Sequence, residues 1–571
     1  MITKNYVLKI AMYCILISFV ISCKNAQAEE LVEQSLVEVS IQNPILQGFY
    51  PDPSICKVGS DYYMVNSTFA YFPGIPIFHS RNLVDWEQIS YALDRPEQLN
   101  LDGLGVSRGI FAPAIRHHNG VFYITSTLID NGENFIISTR HIEGGWSNPT
   151  FIPEVKGIDP SLFIDEDGTA YILYNSVPPL DGEAYGGHRT LRMYEFDLNK
   201  GSVIGEEKII VDKGSTNSVN PIWIEGPHIF KKDDFYYLIA AEGGTSDNHS
   251  EVVFRSNNVW GPYESNPSNP ILTQRDLDPD RINPVTSTGH SDFITDDNGQ
   301  WWSVFLGCRP YEDNHYNTGR ETFMAPVIWG NGWPKVDLGG SLVKDTYPIY
   351  VGNALSENKR FKKRTYFYDD FKNDSLNLKW SFLRTPRTKW YDLGTSSVTI
   401  KTRPESCGTP TNPSFLGYRQ EHKKGIVTTA LDFTPRKENE HAGLIIFQNE
   451  SHYYYVSKSL RDGNEVIVLN KSEGEKMKVL ATKEIDEAGV LFLKIEAQGS
   501  TYDFYYSSDN INWNLIAQGV DATFLSTKTA GGFVGAFYGL YTTSLGSEST
   551  NSATFSWFEN RNLDMNPIIS K

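Results

Sequence analysis

Asp52-Pro53-Ser54-Ile55 begins a short pattern that occurs five times in the first 350 residues of the chain. About nine to eleven residues after each start comes a second run with strand character, Tyr62-Tyr63 in the first copy, and in most copies a turn rich in Gly, Asp or Asn separates the two runs. A strand, a tight turn and an aromatic strand predict a β-hairpin, so the chain repeats one hairpin five times. The other copies start at Ala112-Pro113-Ala114-Ile115, Asp159-Pro160-Ser161-Leu162, Gly226-Pro227-His228-Ile229 and Ser291-Asp292-Phe293-Ile294.

The spacing of the copies, roughly 50 to 65 residues, is in the range of propeller blades. Each copy has room for about four strands, and a single blade of that size cannot bury both of its faces. Aromatic residues make up 13% of the chain, which also contains 46 glycines and 29 prolines, and this composition favours strands joined by many turns. We therefore predict an all-β protein with a five-bladed β-propeller over residues 40–350.

A second domain is expected because 571 residues exceed what one hydrophobic core normally supports. The repeat stops near Tyr366, and alternating strands such as 443–449 and 492–497 follow, separated by hairpin turns. This pattern predicts two packed sheets, a β-sandwich over residues 366–562.

Charge and cysteine spacing limit the partners and cross-links of the chain. The formal net charge of −18 repels phosphate backbones and anionic lipid headgroups, so neither nucleic acid nor direct electrostatic membrane binding is expected. A neutral sugar meets no such repulsion. Cys56, Cys308 and Cys407 form no close pair and match no zinc spacing, so we expect free buried thiols.

The first 28 residues have the features of an export signal. Two lysines precede an apolar run from Ile10 to Ile21, which is short for a membrane span. Val20-Ile21-Ser22-Cys23 resembles a bacterial lipobox, which would place a lipid on Cys23 and tether the exported protein to a membrane, in the periplasm or at the cell surface. Cleavage after Ala26-Gln27-Ala28 is the alternative.

Three acidic residues occupy related places in the repeats. Proline cannot donate to a sheet ladder, so the four repeat prolines are expected at the first residue of a strand, and the residues before them should surround one mouth of the channel. Asp52 and Asp159 stand directly before such a proline, and Glu225 is shifted by one residue. Burial and like charge push the pKa values of grouped carboxyls apart. Glycosidic cleavage requires such a separation, because one carboxyl must be protonated while another is ionised.

The acids lie in Gly48-Phe49-Tyr50-Pro51-Asp52-Pro53-Ser54, Gly157-Ile158-Asp159-Pro160-Ser161 and Ile224-Glu225-Gly226-Pro227-His228. These runs resemble the three acid motifs of glycoside hydrolase family 43. Three further runs resemble the β-xylosidase and α-L-arabinofuranosidase branch of that family. They are Phe72-Pro73-Gly74-Ile75-Pro76-Ile77-Phe78-His79-Ser80, Gly289-His290-Ser291-Asp292 and Gly319-Arg320-Glu321-Thr322.

The resemblance continues to the C-terminus. Phe382-Leu383-Arg384-Thr385-Pro386-Arg387, Asn412-Pro413-Ser414-Phe415-Leu416 and Gly531-Gly532-Phe533-Val534-Gly535 are similar to the concanavalin A-like sandwich that follows the propeller in that branch. In the branch, a loop of the sandwich narrows the pocket mouth, which favours removal of end units; the sequence does not identify that loop here.

The resemblance implies an inverting hydrolase that releases terminal β-D-xylosyl or α-L-arabinofuranosyl units from xylan- and arabinoxylan-type oligosaccharides. Asp52 corresponds to the general base that activates water, and Glu225 to the general acid that protonates the leaving oxygen. Asp159 would orient the substrate and raise the pKa of Glu225, since a nearby anion disfavours ionisation.

Four further positions correspond to substrate-binding positions of the family. Arg320 would reach sugar hydroxyls with its guanidinium fork, with a turn arginine as the alternative. Phe69 and Phe111 would wall the sugar site or simply pack in the core, and Phe111 stands where many xylosidases have Trp. His290 corresponds to a channel histidine that holds a water or a metal in relatives. No cofactor is implied as a requirement, and a channel ion such as calcium is compatible with the resemblance.

Two other functions remain as alternatives. A non-catalytic sugar-binding lipoprotein would use the same propeller, although the loss of one acid would suffice and all three are present. A retaining hydrolase of the fructosidase type would place its two carboxyls about 5 to 5.5 Å apart, against roughly 6.5 to 9.5 Å for inversion. The sequence leaves xylose and arabinofuranose as equal candidates and gives no oligomeric state.

Overall fold

The computed structural model describes residues 36–179, 182–352, 366–474, 476–485 and 489–564. The export signal, Cys23 and the cleavage site after Ala28 lie outside these residues. The described chain divides into two units. The small unit contains residues 36–39 and 348–352, the outer parts of paired strands β1 (Leu36–Gln42) and β25 (Thr346–Gly352), and the large unit contains everything else.

Five antiparallel sheets follow one another from Ser54 to Val336, which confirms the five predicted blades. Each blade has one strand that carries the repeated motif, and each of these motif strands contacts the motif strands of the two neighbouring blades. The contact between the fifth and the first blade closes the ring. The blades contain β2 (Ser54–Val58), β3 (Asp61–Val65), β5 (Gly74–Ser80) and β6 (Glu87–Leu93); β7 (Gly109–Ile110), β8 (Ala114–His118), β9 (Val121–Ile129), β10 (Asn134–Thr139) and β11 (Thr150–Phe151); β12 (Ile158–Ile164), β13 (Ala170–Ser176), β14 (Thr190–Asp197) and β15 (Ser202–Asp212); β16 (Glu225–Lys232), β17 (Phe235–Glu242), β18 (Ser250–Ser256), β19 (Glu264–Ser265) and β20 (Leu272–Thr273); β21 (Thr286–Thr295), β22 (Trp301–Cys308), β23 (Glu321–Gly330) and β24 (Trp333–Val336). The motif strands are β2, β8, β12, β16 and β21.

The middle strands of the blades are apolar on both faces because they pack between two neighbouring blades. β13 is buried at every residue, and β22 at every residue after Trp301. Such strands lack the apolar-polar alternation of a half-exposed sheet. The turns after the motif strands carry the residues that tolerate a left-handed backbone, among them Gly59 (φ 61°) and Asn119 (φ 49°).

The prolines of the motif do not all open a strand as expected. Pro53 and Pro113 precede β2 and β8 directly, but Pro160 and Pro227 lie inside β12 and β16. There the pairing register shifts, between Ile158 and Ser161 in one strand and between Glu225 and His228 in the other. A bulge leaves a residue without a ladder partner, so a proline is tolerated within it.

The alignment of the fifth repeat is corrected by one residue. In the first blade the regular ladder begins where Ser54 pairs with Val65, and in the fifth blade it begins where Asp292 pairs with Val304. Asp292 is therefore the equivalent of Ser54. His290, two residues earlier, is the equivalent of Asp52. The backbone agrees, since φ is 54° at His290, 52° at Asp52, 55° at Asp159 and 56° at Gly226. Four of the five blades therefore turn their chain in the same left-handed way just before the regular ladder begins.

The C-terminal part is the predicted β-sandwich. Val427 and Leu493 from one sheet and Leu444 and Leu540 from the other belong to one hydrophobic core. Within the residues that the structure describes, the remaining regular structure of this part is a 3₁₀ turn (Thr523–Leu525) and the short helix α1 (Thr527–Ala530). The first sheet has the order β28 (Tyr391–Leu393), β29 (Val398–Lys401), β40 (Ser552–Asn562), β31 (Lys424–Asp432), β36 (Leu491–Gln498), β37 (Thr501–Ser507) and β38 (Asn514–Asp521), with β26 (Tyr366–Asp369) also on β40; the second has the order β35 (Lys476–Glu484), β34 (Asn464–Glu473), β33 (His452–Arg461), β32 (His441–Asn449), β39 (Phe537–Thr543), β30 (Ser414–Arg419), β27 (Ser381–Leu383) and β4 (Tyr71–Phe72).

Strand β4 connects the sandwich to the propeller. It leaves the first blade and pairs with β27, with Phe72 opposite Phe382. Arg384 follows β27 and is fully buried. It donates from Nε to the carbonyl of Leu104 (2.5 Å) and forms an ion pair with Glu450. A buried guanidinium needs such partners, and here they come from both domains. The sandwich is therefore held in a fixed position beside the first blade.

Two smaller expectations also concern the described residues. Cys56, Cys308 and Cys407 are buried and unpaired, which confirms the predicted free thiols. Burial raises the pKa of Cys56 to about 12, so its thiol stays protonated and unreactive. In the described part of the chain, no helix has the length and apolarity needed to span a membrane.

Candidate active site

A pocket of about 250 Å³ opens where the motif strands of the blades begin. All seven residues singled out from the sequence line it: Asp52, Phe69, Phe111, Asp159, Glu225, His290 and Arg320. The pocket is completed by Ala112, which stands before a repeat proline and was expected at the channel mouth, and by residues that were not singled out from the sequence, namely Ile158, Trp223, Gly244, Thr245 and Phe533.

Asp52 is held by donors on both carboxyl oxygens. Its side chain is almost fully buried, and the Ser67 hydroxyl donates to Oδ2. Arg320 donates from Nη1 to Oδ1 at 2.7 Å, a charge-assisted hydrogen bond. His290 lies near the same oxygen, with its Nδ1 3.9 Å away. The Asp52 carboxylate is thus fixed in direction next to a cation.

Glu225 has the opposite environment. It is the first residue of β16, it is buried, and no cation forms an ion pair with it within the described chain. Burial raises the pKa of Glu225 to about 7; the indole N–H of Trp223, which donates to Oε2 at 2.6 Å, opposes this shift, and the charge of Asp52 adds to it. Near neutral pH this carboxyl therefore carries a proton in a large fraction of molecules.

Asp159 is the third buried carboxyl of the pocket. Burial raises its pKa well above the usual range, and the charges of Glu225 and Asp52 add to the shift, while the backbone N–H of Gly226 opposes it. A charge on Glu225 or Asp159 disfavours ionisation of the other, so the two titrate as a pair. The pocket therefore combines a carboxylate paired with Arg320 and two carboxyls that tend to keep a proton.

Arg320 donates three hydrogen bonds through its two terminal nitrogens, and its Nε has no partner among the described residues. Besides Asp52, it donates from Nη1 to the hydroxyl of Thr245 (3.1 Å) and from Nη2 to the carbonyl of Phe533 (3.4 Å). Its buried Nε has no hydrogen-bond partner among the described residues. A buried donor without a partner costs free energy, which a ligand hydroxyl would recover.

Three phenylalanines form an apolar wall. The ring centroids of Phe69 and Phe111 are 5.2 Å apart, and Phe533 lies 5.9 Å from the first and 6.1 Å from the second. Phe533 belongs to the sandwich, and its backbone N–H donates to the hydroxyl of Ser107 in the propeller (2.9 Å). The segment around Phe533 is thus the sandwich loop that reaches the pocket, which the sequence left unassigned.

His290 could take part in a metal site by distance alone. Ligand atoms of Asp159, Glu225 and His290 all lie within 4.8 Å of one another. A divalent cation requires ionised carboxylates, whereas burial raises the pKa of both carboxyls here. Protons therefore compete with a cation at this cluster.

A buried polar network lies behind the pocket and was not indicated by the sequence motifs. Asp292 accepts from the Ser54 hydroxyl (2.7 Å) and pairs with Arg116 (2.9 Å), whose second nitrogen lies 3.0 Å from Nδ1 of His228. Ser54, His228 and Asp292 occupy the same ladder position in three blades. The network joins the motif strands just beyond the residues that line the pocket.

The missed pocket residues had different signals in the sequence. Trp223 stands two residues before Glu225, so an aromatic residue this close in sequence to an assigned acid could have been singled out. Thr245 follows the Gly243-Gly244 pair after β17, where a close approach of the backbone is typical. Phe533 had no local signal, because it comes from the other domain.

Comparison with known proteins agrees with this geometry. The model of glycosyl hydrolases family 43 matches residues 41–334, and that of the β-xylosidase C-terminal concanavalin A-like domain matches residues 368–561. A xylosidase/arabinosidase of Butyrivibrio fibrisolvens is 40% identical over 91% of this chain and 99% of its own, and the non-reducing end α-L-arabinofuranosidase BoGH43B of Bacteroides ovatus is 35% identical over 93% and 96%.

Solved structures give the same result. The Bacteroides ovatus protein described as xyloglucan PUL GH43B superposes with a TM-score of 0.82 at 34% identity, covering 92% of this chain and all of its own. The xylan β-1,4-xylosidase of Bacillus halodurans also reaches 0.82, at 30% identity over 91% and 100%. The chain therefore belongs to glycosyl hydrolase family 43 and is a glycoside hydrolase, in which a five-bladed β-propeller is followed by a concanavalin A-like domain.

Proposed function

We propose that the protein is an exo-acting, inverting glycoside hydrolase that releases terminal β-D-xylosyl or α-L-arabinofuranosyl units from xylan- and arabinoxylan-type oligosaccharides. The observation that carries the proposal is the contrast between two buried carboxyls in one pocket. Asp52 is paired with Arg320, whereas the pKa of Glu225 is raised to about 7. One group is suited to accept a proton and the other to donate one at the same pH.

The division of roles follows from these environments. Asp52 accepts a proton from a water molecule as the water oxygen bonds to the anomeric carbon. Glu225 gives its proton to the glycosidic oxygen as the bond from that oxygen to the anomeric carbon breaks. One proton is gained and one is lost, and the direct displacement inverts the anomeric configuration. Asp159 accepts hydrogen bonds from the sugar and, when charged, raises the pKa of Glu225.

The exo mode is supported by the size and closure of the pocket. Its volume of about 250 Å³ is below the roughly 300 to 1,000 Å³ of sites for drug-sized ligands. Phe533 places the sandwich at this small space. Such a pocket suits one terminal sugar better than the interior of a polysaccharide chain.

The choice of sugar rests on the relatives. Three of them are named as a xylosidase/arabinosidase, a non-reducing end α-L-arabinofuranosidase and a xylan 1,3-β-xylosidase, the last from a Vibrio species and 32% identical over 91% of this chain. Hemicellulose oligosaccharides are therefore the proposed substrates. Because protons compete for the Asp159 and Glu225 cluster, we propose that no metal or other cofactor is required.

One assay tests the sugar and the stereochemistry together. Nitrophenyl β-D-xyloside and nitrophenyl α-L-arabinofuranoside are hydrolysed in separate reactions, and the anomer first released is followed by NMR. Release of the inverted anomer from at least one glycoside is expected. A retained anomer would favour the fructosidase type of reaction, and failure to hydrolyse either glycoside or any oligosaccharide would favour a non-catalytic binding protein.

Arg320→Ala should weaken the enzyme by on the order of 2 to 4 kcal/mol in transition-state stabilisation, measured as the ratio of kcat/KM values. The variant loses the unpartnered Nε donor and also leaves the Asp52 carboxylate without its cation. Arg320→Lys is the matched control, because it keeps the charge but loses the planar fork and should recover only part of the activity. Wild-type kinetics in a well-folded Arg320→Ala protein would exclude a role in substrate binding.

The location of the protein is proposed from its first residues. The apolar run that ends at Val20-Ile21-Ser22-Cys23 supports export followed by lipid attachment to Cys23, with the enzyme tethered in the periplasm or at the cell surface. Cys23→Ala should move the protein from the membrane fraction to the soluble fraction of cells. Unchanged membrane association of that variant would contradict lipidation of Cys23, whereas a wild-type protein found in the soluble fraction would favour cleavage after Ala28.

A further inference from the structure

Trp223 contacts the proposed acid through its only polar atom. Its indole N–H donates to Oε2 of Glu225 at 2.6 Å, and its half-buried ring lines the pocket. The guanidinium carbon of Arg189 lies 3.8 Å from the ring centre, in cation–π contact. The ring is therefore held between a cation and the carboxyl that is to lose a proton.

The backbone of Trp223 is held in a costly conformation. Its φ of 56° is unusual for a bulky residue and is tolerated only where neighbours impose it. Its own N–H donates to the carbonyl of Gly187 (2.8 Å), and the carbonyl of the preceding Ile222 accepts from the N–H of Gly243 (2.8 Å). Two separate segments thus fix the direction of the indole.

We propose that Trp223 is a positioning residue for the acid: its indole N–H holds Oε2 of Glu225, and the stacked Arg189 keeps the ring in place. This inference rests on the proposed role of Glu225. Trp donates but cannot accept, so a proton on Oε2 would find no acceptor in the indole, and the unprotonated oxygen is the better acceptor for the indole N–H. The acidic proton is therefore assigned to the other oxygen, Oε1.

The same hydrogen bond becomes stronger as the reaction proceeds. When Glu225 gives up its proton, negative charge develops on its carboxyl, and a preorganised donor stabilises that charge without reorientation. The other groups around this carboxyl act in both directions. The charge of Asp52 disfavours its ionisation, and the charges of Arg320 and Arg189 favour it. Burial raises the pKa of Asp159, which keeps the Asp159 carboxyl protonated, and burial lowers the pKa of His290, which keeps that ring neutral.

Trp223→Phe tests the inference, because it keeps an aromatic ring beneath Arg189 but removes the N–H. Without the donor, the ionised form of Glu225 loses a partner, so its pKa rises. The alkaline limb of kcat/KM should move upward by about one pH unit, and kcat on oligosaccharides should fall roughly tenfold. A residue with only a packing role would change stability or KM but would leave that limb in place.

Trp260→Phe is the matched control. Trp260 is another half-buried indole of the propeller with a cation over its ring, Lys208 Nζ at 4.5 Å, and it does not line the pocket. The same substitution there should change neither the limb nor kcat. Should Trp223→Phe fail to fold, Arg189→Lys keeps the positive charge that acts on Glu225 but removes the planar group stacked on the indole, and a smaller upward shift of the limb is expected.

Glu225→Gln separates this inference from the proposed function. If its alkaline limb persists, Glu225 is not the acid and both proposals are overturned. If the limb is lost in Glu225→Gln but stays at its wild-type position in Trp223→Phe and Arg189→Lys, only the role of Trp223 is wrong. Loss of the limb in the first variant and an upward shift in the others would support both.

Discussion

Asp52→Asn should lower kcat/KM by roughly 10²- to 10⁴-fold, the usual range for general acid–base catalysis, and by a similar factor for aryl glycosides and natural oligosaccharides. The reason is that the water must lose a proton whatever the leaving group is. Asn keeps the size of Asp, and its single carbonyl oxygen can still accept from Arg320 while its NH₂ group donates to the Ser67 hydroxyl, but it cannot take up the proton. Steady-state kinetics on both substrate types measures the effect.

The backbone makes Asn the right replacement. Asp52 has a φ of 52°, a left-handed conformation that Asn adopts more readily than other non-glycine residues, so the variant should fold. Asp233→Asn is the matched control, since Asp233 also has a left-handed backbone (φ 54°) and a cation partner, Lys232, but lies in a turn outside the pocket. That variant should keep wild-type kinetics.

A nucleophile that needs no deprotonation provides the stricter test. Azide should restore much of the rate of Asp52→Asn with an aryl glycoside and give an inverted glycosyl azide. Full activity of Asp52→Asn without azide, or a glycosyl azide of retained configuration, would contradict the role of Asp52 as base.

The propeller could be predicted because its signals are local. The hairpin that begins at Asp52 is defined by a proline, a turn and an aromatic pair within about a dozen residues, and each copy forms the motif strand of a blade and the strand after it. The placement of the acids followed from the same repeat. Equivalent positions in successive blades meet at one mouth of the channel, so Asp52 and Asp159 had to come close in space.

The β-bulges in the motif strands of the blades could not be predicted from the sequence repeat. The shifts in pairing at Pro160 and Pro227 allow these prolines inside strands, and similar shifts in β21 make His290 the equivalent of Asp52. Each depends on which N–H finds a partner across the ladder, and that is set by the neighbouring strand. An alignment of the five copies by their motifs alone therefore misplaces the fifth copy by one residue.

Contacts between domains were also beyond the sequence pattern. Phe533 meets Phe69 across a separation of more than 400 residues, because β4 pairs with β27 and Arg384 fixes the two domains against each other. The family resemblance indicated that some sandwich loop reaches the pocket. Identifying which one required the hydrogen bond from Phe533 to Ser107.

Glu225→Gln should show a loss that depends on the leaving group, and this dependence is what separates the acid from the base. Gln has no acidic proton, so natural oligosaccharides, whose alkoxide leaving groups need protonation, should react roughly 10²- to 10⁴-fold more slowly. Nitrophenolate leaves readily without a proton, so the loss on nitrophenyl glycosides should be small. The measurement is kcat/KM over a series of aryl glycosides with leaving groups of increasing pKa, each serving as the control for the next.

The pH profile gives an independent check on the same residue. The pKa of Glu225 is raised to about 7, so the wild-type kcat/KM should fall as the pH rises through about 7, because the ionised acid has no proton to give. Glu225→Gln should abolish this alkaline limb for the aryl substrates that it still hydrolyses, since Gln does not titrate. Its amide can also still accept from the Trp223 indole, so the geometry of the pocket is kept. Equal losses of Glu225→Gln on aryl and natural substrates, together with an unchanged alkaline limb, would assign the proton to another group, and Asp159, the other buried carboxyl with a raised pKa, would then be the candidate.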